Sequence, residues 1–166
     1  MASPRRRKGV SPVYAELARA TPLERIEMIR RGLPPIWIMD LAFDLRLSAD
    51  NLMVYLGLCR ASVEQALLAE ARLSRTESDP VMALLVMVGE ALLDGDTADT
   101  VPPDEQAIVA ARLGKWLRTP MTALGRRAPL QFVDTACGRA MVAALLALSF
   151  AAHSRKNRKC TFSADT

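Results

Sequence analysis

Histidine and cysteine are scarce in this 166-residue chain: one histidine, His153, and three cysteines, Cys59, Cys137 and Cys160. A single imidazole beside a basic tail, with no carboxylate near it in sequence, leaves no histidine-based triad and no multi-histidine metal site. An odd number of cysteines without paired spacing points to reduced thiols, not to a disulfide framework or a zinc site. The glycines are scattered, and Gly114-Lys115-Trp116-Leu117 lacks the preceding glycine and the following Ser or Thr of a phosphate-binding loop. Asp94, Asp96 and Asp99 are spaced like ligands but come without the glycine and closing glutamate of a calcium loop, so they read as a solvated linker. Aromatic residues make up 5% of the chain, and alternating β-branched runs are absent, which excludes a sheet. The longest charge-free apolar run, Ala140 to Ala152, falls short of the roughly 20 residues that cross a bilayer. The start, MASPRRRK, is positive but is not followed by an apolar segment and a small-residue cleavage site, so a cytoplasmic location is expected. No catalytic residue, cofactor or metal is expected.

What the chain does have is 51% hydrophobic residues recurring at helical spacing almost throughout. The expected fold is all-α, with enough apolar surface for one core or two small helical layers packed together. Its net charge of +4 is confined to the ends. Arg5, Arg6, Arg7 and Lys8 lie in the first nine residues with no acid, and residues 153–166 hold four basic groups and one acid. The stretch between them carries 14 basic and 17 acidic residues. Such tails are solvated ends or short arms that neutralise phosphates, and the four N-terminal cations are candidate DNA contacts.

Helix signals punctuate the first half. Thr21-Pro22-Leu23-Glu24 is a capping box with proline at the first helical position, predicting a helix to about Arg31 that stops at Gly32. Pro34-Pro35 opens another carrying Ile36, Met39, Leu41 and Phe43, and Ser48 caps a third that ends at Gly57. With Gly57 as the turn glycine of a helix-turn-helix, Leu52, Leu56, Leu58 and Val63 pack the two helices together and Arg60 to Ala69 becomes the recognition helix. Its candidate base contacts are Arg60, Ser62 and Gln65. Glu64 and Glu70 oppose them, because carboxylates facing phosphate are unfavourable, and Cys59 is a poor N-cap. Ser74 with Glu77 forms a second capping box and starts a long apolar helix to about Gly95. An acidic, proline-containing linker follows, from Asp94 to Glu105.

The stretch from Ala111 to Leu148 is the most specific part of the chain. It holds Trp116-Leu117, Thr119-Pro120, an Ala123-Leu124-Gly125 turn, Pro129-Leu130, Asp134-Thr135, Gly138 and then an apolar helix. Thr119-Pro120 and Leu124-Gly125 are turn chemistry that stops a helix, Pro129 fits the first position of the next, and Asp134 or Thr135 can cap the one after. A tight helix–loop–helix corner results, in which Trp116, Leu124, Leu130 and Phe132 either form a small core or meet a partner. In order and spacing this quarter of the chain resembles the toxin-binding domain of the Xre/MbcA/ParS antitoxins. Arg126 stands where a second glycine is usual there, and Met121 where asparagine is usual.

That resemblance implies a binding protein. The implied organisation is a basic arm at 1–20, an Xre-like helix-turn-helix domain at 21–95, a linker at 96–105, a toxin-binding domain at 106–152 and a basic tail at 153–166. The implied partner is a cognate toxin, of the RES-domain type that degrades NAD, which the antitoxin caps so that its active site is blocked. Trp116, Arg126, Arg127 and Leu130 are the candidate toxin contacts, the two arginines foremost because they project from the loop. Repression of its own operon through operator DNA is the family's second task. A homodimer is expected from Val81–Leu93 and Met141–Phe150, which are apolar over more than one face. Two other readings stay open: a stand-alone helix-turn-helix regulator whose C-terminal domain only dimerises, and an adaptor without DNA contact.

Overall fold

The fold is assembled around one long apolar helix. The computed structural model describes residues 10–93 and 102–160, and among the described residues all regular structure is helical. Eight α-helices follow in order: α1 (Val13–Arg19), α2 (Pro22–Arg31), α3 (Ile36–Asp44), α4 (Ala49–Tyr55), α5 (Arg60–Leu68), α6 (Arg75–Leu92), α7 (Pro103–Arg118) and α8 (Ala136–Cys160). Two short 3-10 turns, Thr122–Leu124 and Pro129–Phe132, lie between α7 and α8. No helix among the described residues is long and apolar enough to cross a membrane.

Local chemistry sets most helix ends. The Thr21 hydroxyl accepts from the Glu24 backbone N–H while the Glu24 carboxylate accepts from the Thr21 N–H, and Ser74 and Glu77 repeat the arrangement at α6. Both capping boxes hold their glutamates below the usual carboxylate range. For Glu24 the cause is the hydrogen bonding to Thr21. For Glu77 burial pulls upward, and bonds from Ser74, Ser62 and the Ser74 backbone outweigh it. Ser48 caps α4. That helix closes with the Leu58 N–H donating to the Met53 carbonyl at 2.8 Å across Gly57, whose φ of +67° is the left-handed conformation such an ending needs. α4 and α5 are linked by residues 56–59, an order consistent with a helix-turn-helix, and Leu52, Leu56, Leu58 and Val63 are buried. Cys59 makes no side-chain cap bond, as its chemistry suggests.

α6 is the axis. From Val81 to Leu92 nearly every residue is buried, and α1, α2, α7 and α8 all pack on it. Its all-round apolar surface, the first basis for expecting a homodimer, is therefore covered within the chain. On α8, Met141 and Leu148 do remain outside, 37% and 69% exposed.

Two expected boundaries also move. Within the span expected as a basic arm, residues 13–19 form α1, with Tyr14 and Leu17 fully buried. The Tyr14 hydroxyl donates to Asp44 at 2.7 Å, and Arg25 donates to the Leu17 and Ala18 carbonyls, which closes the C-terminal end of the helix. The arginines and lysine at 5–8 lie outside the described residues. α7 begins at Pro103, inside the span expected as linker, because proline suits the first helical position and Glu105 and Gln106 donate their N–H groups back to the Pro102 carbonyl. The two halves then share a core. Leu45 and Leu52 from the first half and Leu113, Leu117, Leu130, Val133 and Val142 from the second belong to one continuous buried cluster. A Cβ placed on Gly114 of α7 would lie 2.0 Å from the Leu45 carbonyl oxygen, so the backbones themselves are in contact there.

Candidate functional site

The corner between α7 and α8 is built by helix termination. The Thr119 N–H donates to the Trp116 carbonyl at 3.1 Å and its hydroxyl to the Lys115 carbonyl at 2.8 Å, while Pro120 denies the helix its next donor. The chain then makes a closed loop. Met121 donates to the Arg127 carbonyl at 3.0 Å, and Arg126 donates back to the Met121 carbonyl at 2.9 Å. Across the tip the Arg127 N–H reaches the Leu124 carbonyl at 3.2 Å, with Gly125 at φ +62° and Arg126 at φ +63°. Two successive positive φ values give the handedness of a type I′ turn. Glycine adopts it freely, whereas at Arg126 an L side chain sits in a region that costs about 1–2 kcal/mol per residue.

Packing separates the four candidate contacts. Leu130 is 1% exposed and belongs to the same buried cluster as Val133 and Leu117, so it supports the corner from inside and offers no outer surface. Trp116 is half-buried against that core, and its neighbour Leu117 is the fully buried member of the pair. The spacing of Ala110, Leu113 and Leu117, all buried, marks that inward stripe of α7. Arg126 and Arg127 are exposed at the loop tip, as their place in the turn suggested. They are not equivalent. Arg127 lies over the Phe132 ring at 5.8 Å, a cation–π contact that restricts it, while Arg126 projects from the strained position.

The corner ends where α8 begins. The Thr135 hydroxyl accepts from the Gly138 N–H at 3.1 Å, so of the two candidate caps Thr135 fills the role. Arg139, one residue on, was not signalled by the sequence: its guanidinium donates to the carbonyls of Val133 and Asp134, both at 3.2 Å, and pairs with Asp79 of α6. A groove of about 1040 Å3 between α1 and α2 includes none of the turn residues.

Two of the three candidate DNA contacts on α5 are engaged with their own chain. Arg60 Nε donates to Glu64 at 2.7 Å and its Nη1 lies 3.1 Å from Asp50. These partners, the Glu64 hydrogen bond first, raise its pKa further above the ordinary arginine value. Ser62 hydrogen-bonds Glu77, and Gln65 is exposed. Cys59 and Cys137 are free thiols at the surface, and among the described residues no group of His, Cys, Asp and Glu could hold a metal ion.

Residues 90–147, from the last turn of α6 through the corner and into α8, match the family described as the antitoxin Xre/MbcA/ParS C-terminal toxin-binding domain. Over that third of the chain the sequence is similar to the domain with which such antitoxins bind their toxins. The chain is also 29% identical over 141 residues to a protein of Sphingobium sp. (strain YBL2) named Prs ADP-ribosylating antitoxin, an alignment covering 84% of this chain and 87% of the relative. The alignment therefore extends beyond the toxin-binding domain into the helices before α6.

Proposed function

We propose that the chain is an antitoxin that captures its toxin with the exposed tip of the corner, Arg126 and Arg127, and neutralises it by covering the active site. The observation that carries this reading is the charged tip itself. The family match assigns toxin binding to residues 90–147, and within that span the strained Arg126 presents a guanidinium outward from a rigid, hydrogen-bonded turn. A planar, forked cation held without a stabilising role of its own is suited to a carboxylate or phosphate on a partner. Trp116 supports the corner as a half-buried packing residue, and Leu130 acts from the core.

The toxin is of the RES-domain type, an enzyme that consumes NAD. Support comes from the printed name of the Sphingobium relative, which refers to ADP-ribosylation, a reaction in which NAD supplies the ADP-ribose. The antitoxin itself acts without chemistry of its own, in the cytoplasm and as a homodimer within the complex. Operator binding is its second task. In that task the basic arm, Arg5 to Lys8, neutralises phosphates, since Arg60 is already balanced by Asp50 and Glu64.

The decisive experiment uses the product of the open reading frame adjacent to the antitoxin's own. Co-purification at a fixed ratio identifies the toxin. Changing Arg126 and Arg127 together to Glu then abolishes neutralisation in cells while leaving the melting temperature nearly unchanged, because truncating a charged interface contact costs about 2–5 kcal/mol of binding and an exposed loop contributes little to the core. Full neutralisation by the double variant, with loss in a chain lacking residues 153–166, would move recognition to the tail.

A further inference from the structure

The corner is not held by its own turn alone. A chain of contacts runs from the body of the molecule to the loop tip: Asp79 on α6 pairs with Arg139, Arg139 donates to the Val133 and Asp134 carbonyls, and the Phe132 ring next to them lies under Arg127 at 5.8 Å. α8 presses on the same point from below. A Cβ on Gly138 would sit 1.8 Å from the Phe132 carbonyl oxygen, so Phe132 has no freedom to withdraw on that side.

Arg139 is built for this work. Its side chain is 11% exposed, and its guanidinium spreads three directed bonds over two elements. A lysine in its place would offer a compact charge to Asp79 without the planar fork. The Asp79 side chain is 53% exposed, and an ion pair of that kind adds little to stability. The pair is thus poorly placed to hold the fold together and well placed to fix an angle, that of residues 132–134 relative to α6.

We propose that Arg139, oriented by Asp79, is a positioning residue for toxin capture: it fixes the Phe132 platform and through it the direction in which Arg127 meets the toxin. The proposal rests on the reading of the loop tip given above. It acts at a distance from the partner, through a defined sequence of contacts, and needs no movement of α6.

The test uses the full chain and two variants. Arg139→Lys removes the planar guanidinium, whose Nη1 reaches both carbonyls, and keeps the charge, whereas Asp79→Asn keeps the Nη1 bonds and removes the charge that anchors Nη2. The first readout needs no toxin. In wild type the Phe132 ring shifts the NMR signal of the Arg127 side-chain N–H, and in both variants that signal moves toward its position in Phe132→Leu. The second readout is the dissociation constant for the product of the adjacent open reading frame, which rises by about 2- to 30-fold, the range found for residues that modulate a site without touching its ligand. Melting of Asp79→Asn stays near wild type, so that variant decides the matter should Arg139→Lys be less stable. An unmoved Arg127 signal overturns the proposal. So does an unchanged dissociation constant in both variants when Arg126→Glu with Arg127→Glu weakens binding, a result that leaves the loop-tip reading standing. Undiminished binding by that double Glu variant overturns both.

Discussion

Replacing Gly114 by alanine sets two effects of opposite sign against each other. Gly114 is in the interior of α7, where an exposed glycine-to-alanine change stabilises a helix by about 0.8–1.0 kcal/mol. Here the new Cβ would meet the Leu45 carbonyl oxygen at 2.0 Å, its carbon at 2.8 Å and its Cα at 3.0 Å. Every one of those atoms is backbone, at the C-terminal end of α3, and none can rotate away. Ordinary contact begins near 3.4 Å, so α7 and the end of α3 must part by more than an ångström. Leu113 and Leu117, 1% and 0% exposed on either side, would lose contact with the first half as they moved. Overpacking of this kind costs about 1–3 kcal/mol, which exceeds the propensity gain. Calorimetry or circular dichroism should show the melting temperature falling by a few degrees, at about 2–4 °C per kcal/mol for a chain of this size. A rise in melting temperature would mean that propensity alone operates, and that the two halves do not press together at Gly114.

Other outcomes follow from the same contacts. A fragment from Pro103 to the end should fail to melt cooperatively, because Leu113, Leu117, Val133 and Val142 lose the cover of α3, α4 and α6; a sharp transition in the isolated fragment would show that it is a separable domain. Acidification should weaken the fold through the two capping boxes. Glu24 and Glu77 titrate below their ordinary value when folded, so the unfolded chain takes up protons first: their contribution is whole above about pH 4.3, where the unfolded group ionises, and is lost as pH falls through the folded values. Glu24→Gln combined with Glu77→Gln should flatten the fall in melting temperature between about pH 5 and pH 3.

How much of this was legible in the sequence depended on whether the cause was local. Thr21 with Glu24, Ser74 with Glu77, Ser48, Gly32 and Gly57 act within four or five residues, so α2, α4 and α6 could be placed from their caps. α1 could not. Pro12 makes no side-chain cap bond, only Tyr14 and Leu17 are fully buried, and the helix owes its place to tertiary contact with α6, where Gly89 lets its backbone come close. From sequence alone, the uniform apolarity of α6 points to surplus surface for a partner. Four neighbouring helices use it instead, a fact of topology that periodicity does not carry. At the corner, Gly125 and Pro129 announced a turn and the exposure of both arginines followed from it, but the burial of Leu130 depended on which way the turn faced. Arg139 and Asp79 are 60 residues apart, and nothing in either neighbourhood pairs them.

Arg126 occupies a backbone conformation that glycine would hold at less cost. Given the role proposed for the loop tip, heat resistance and partner capture make opposite demands on this one codon. A library of variants sorted for survival at high temperature should drift toward glycine there and lose the guanidinium. The same library sorted for growth in the presence of the toxin should retain arginine and accept the strain. Which residue each selection returns measures, in competing growth rates, what the charge at the loop tip is worth.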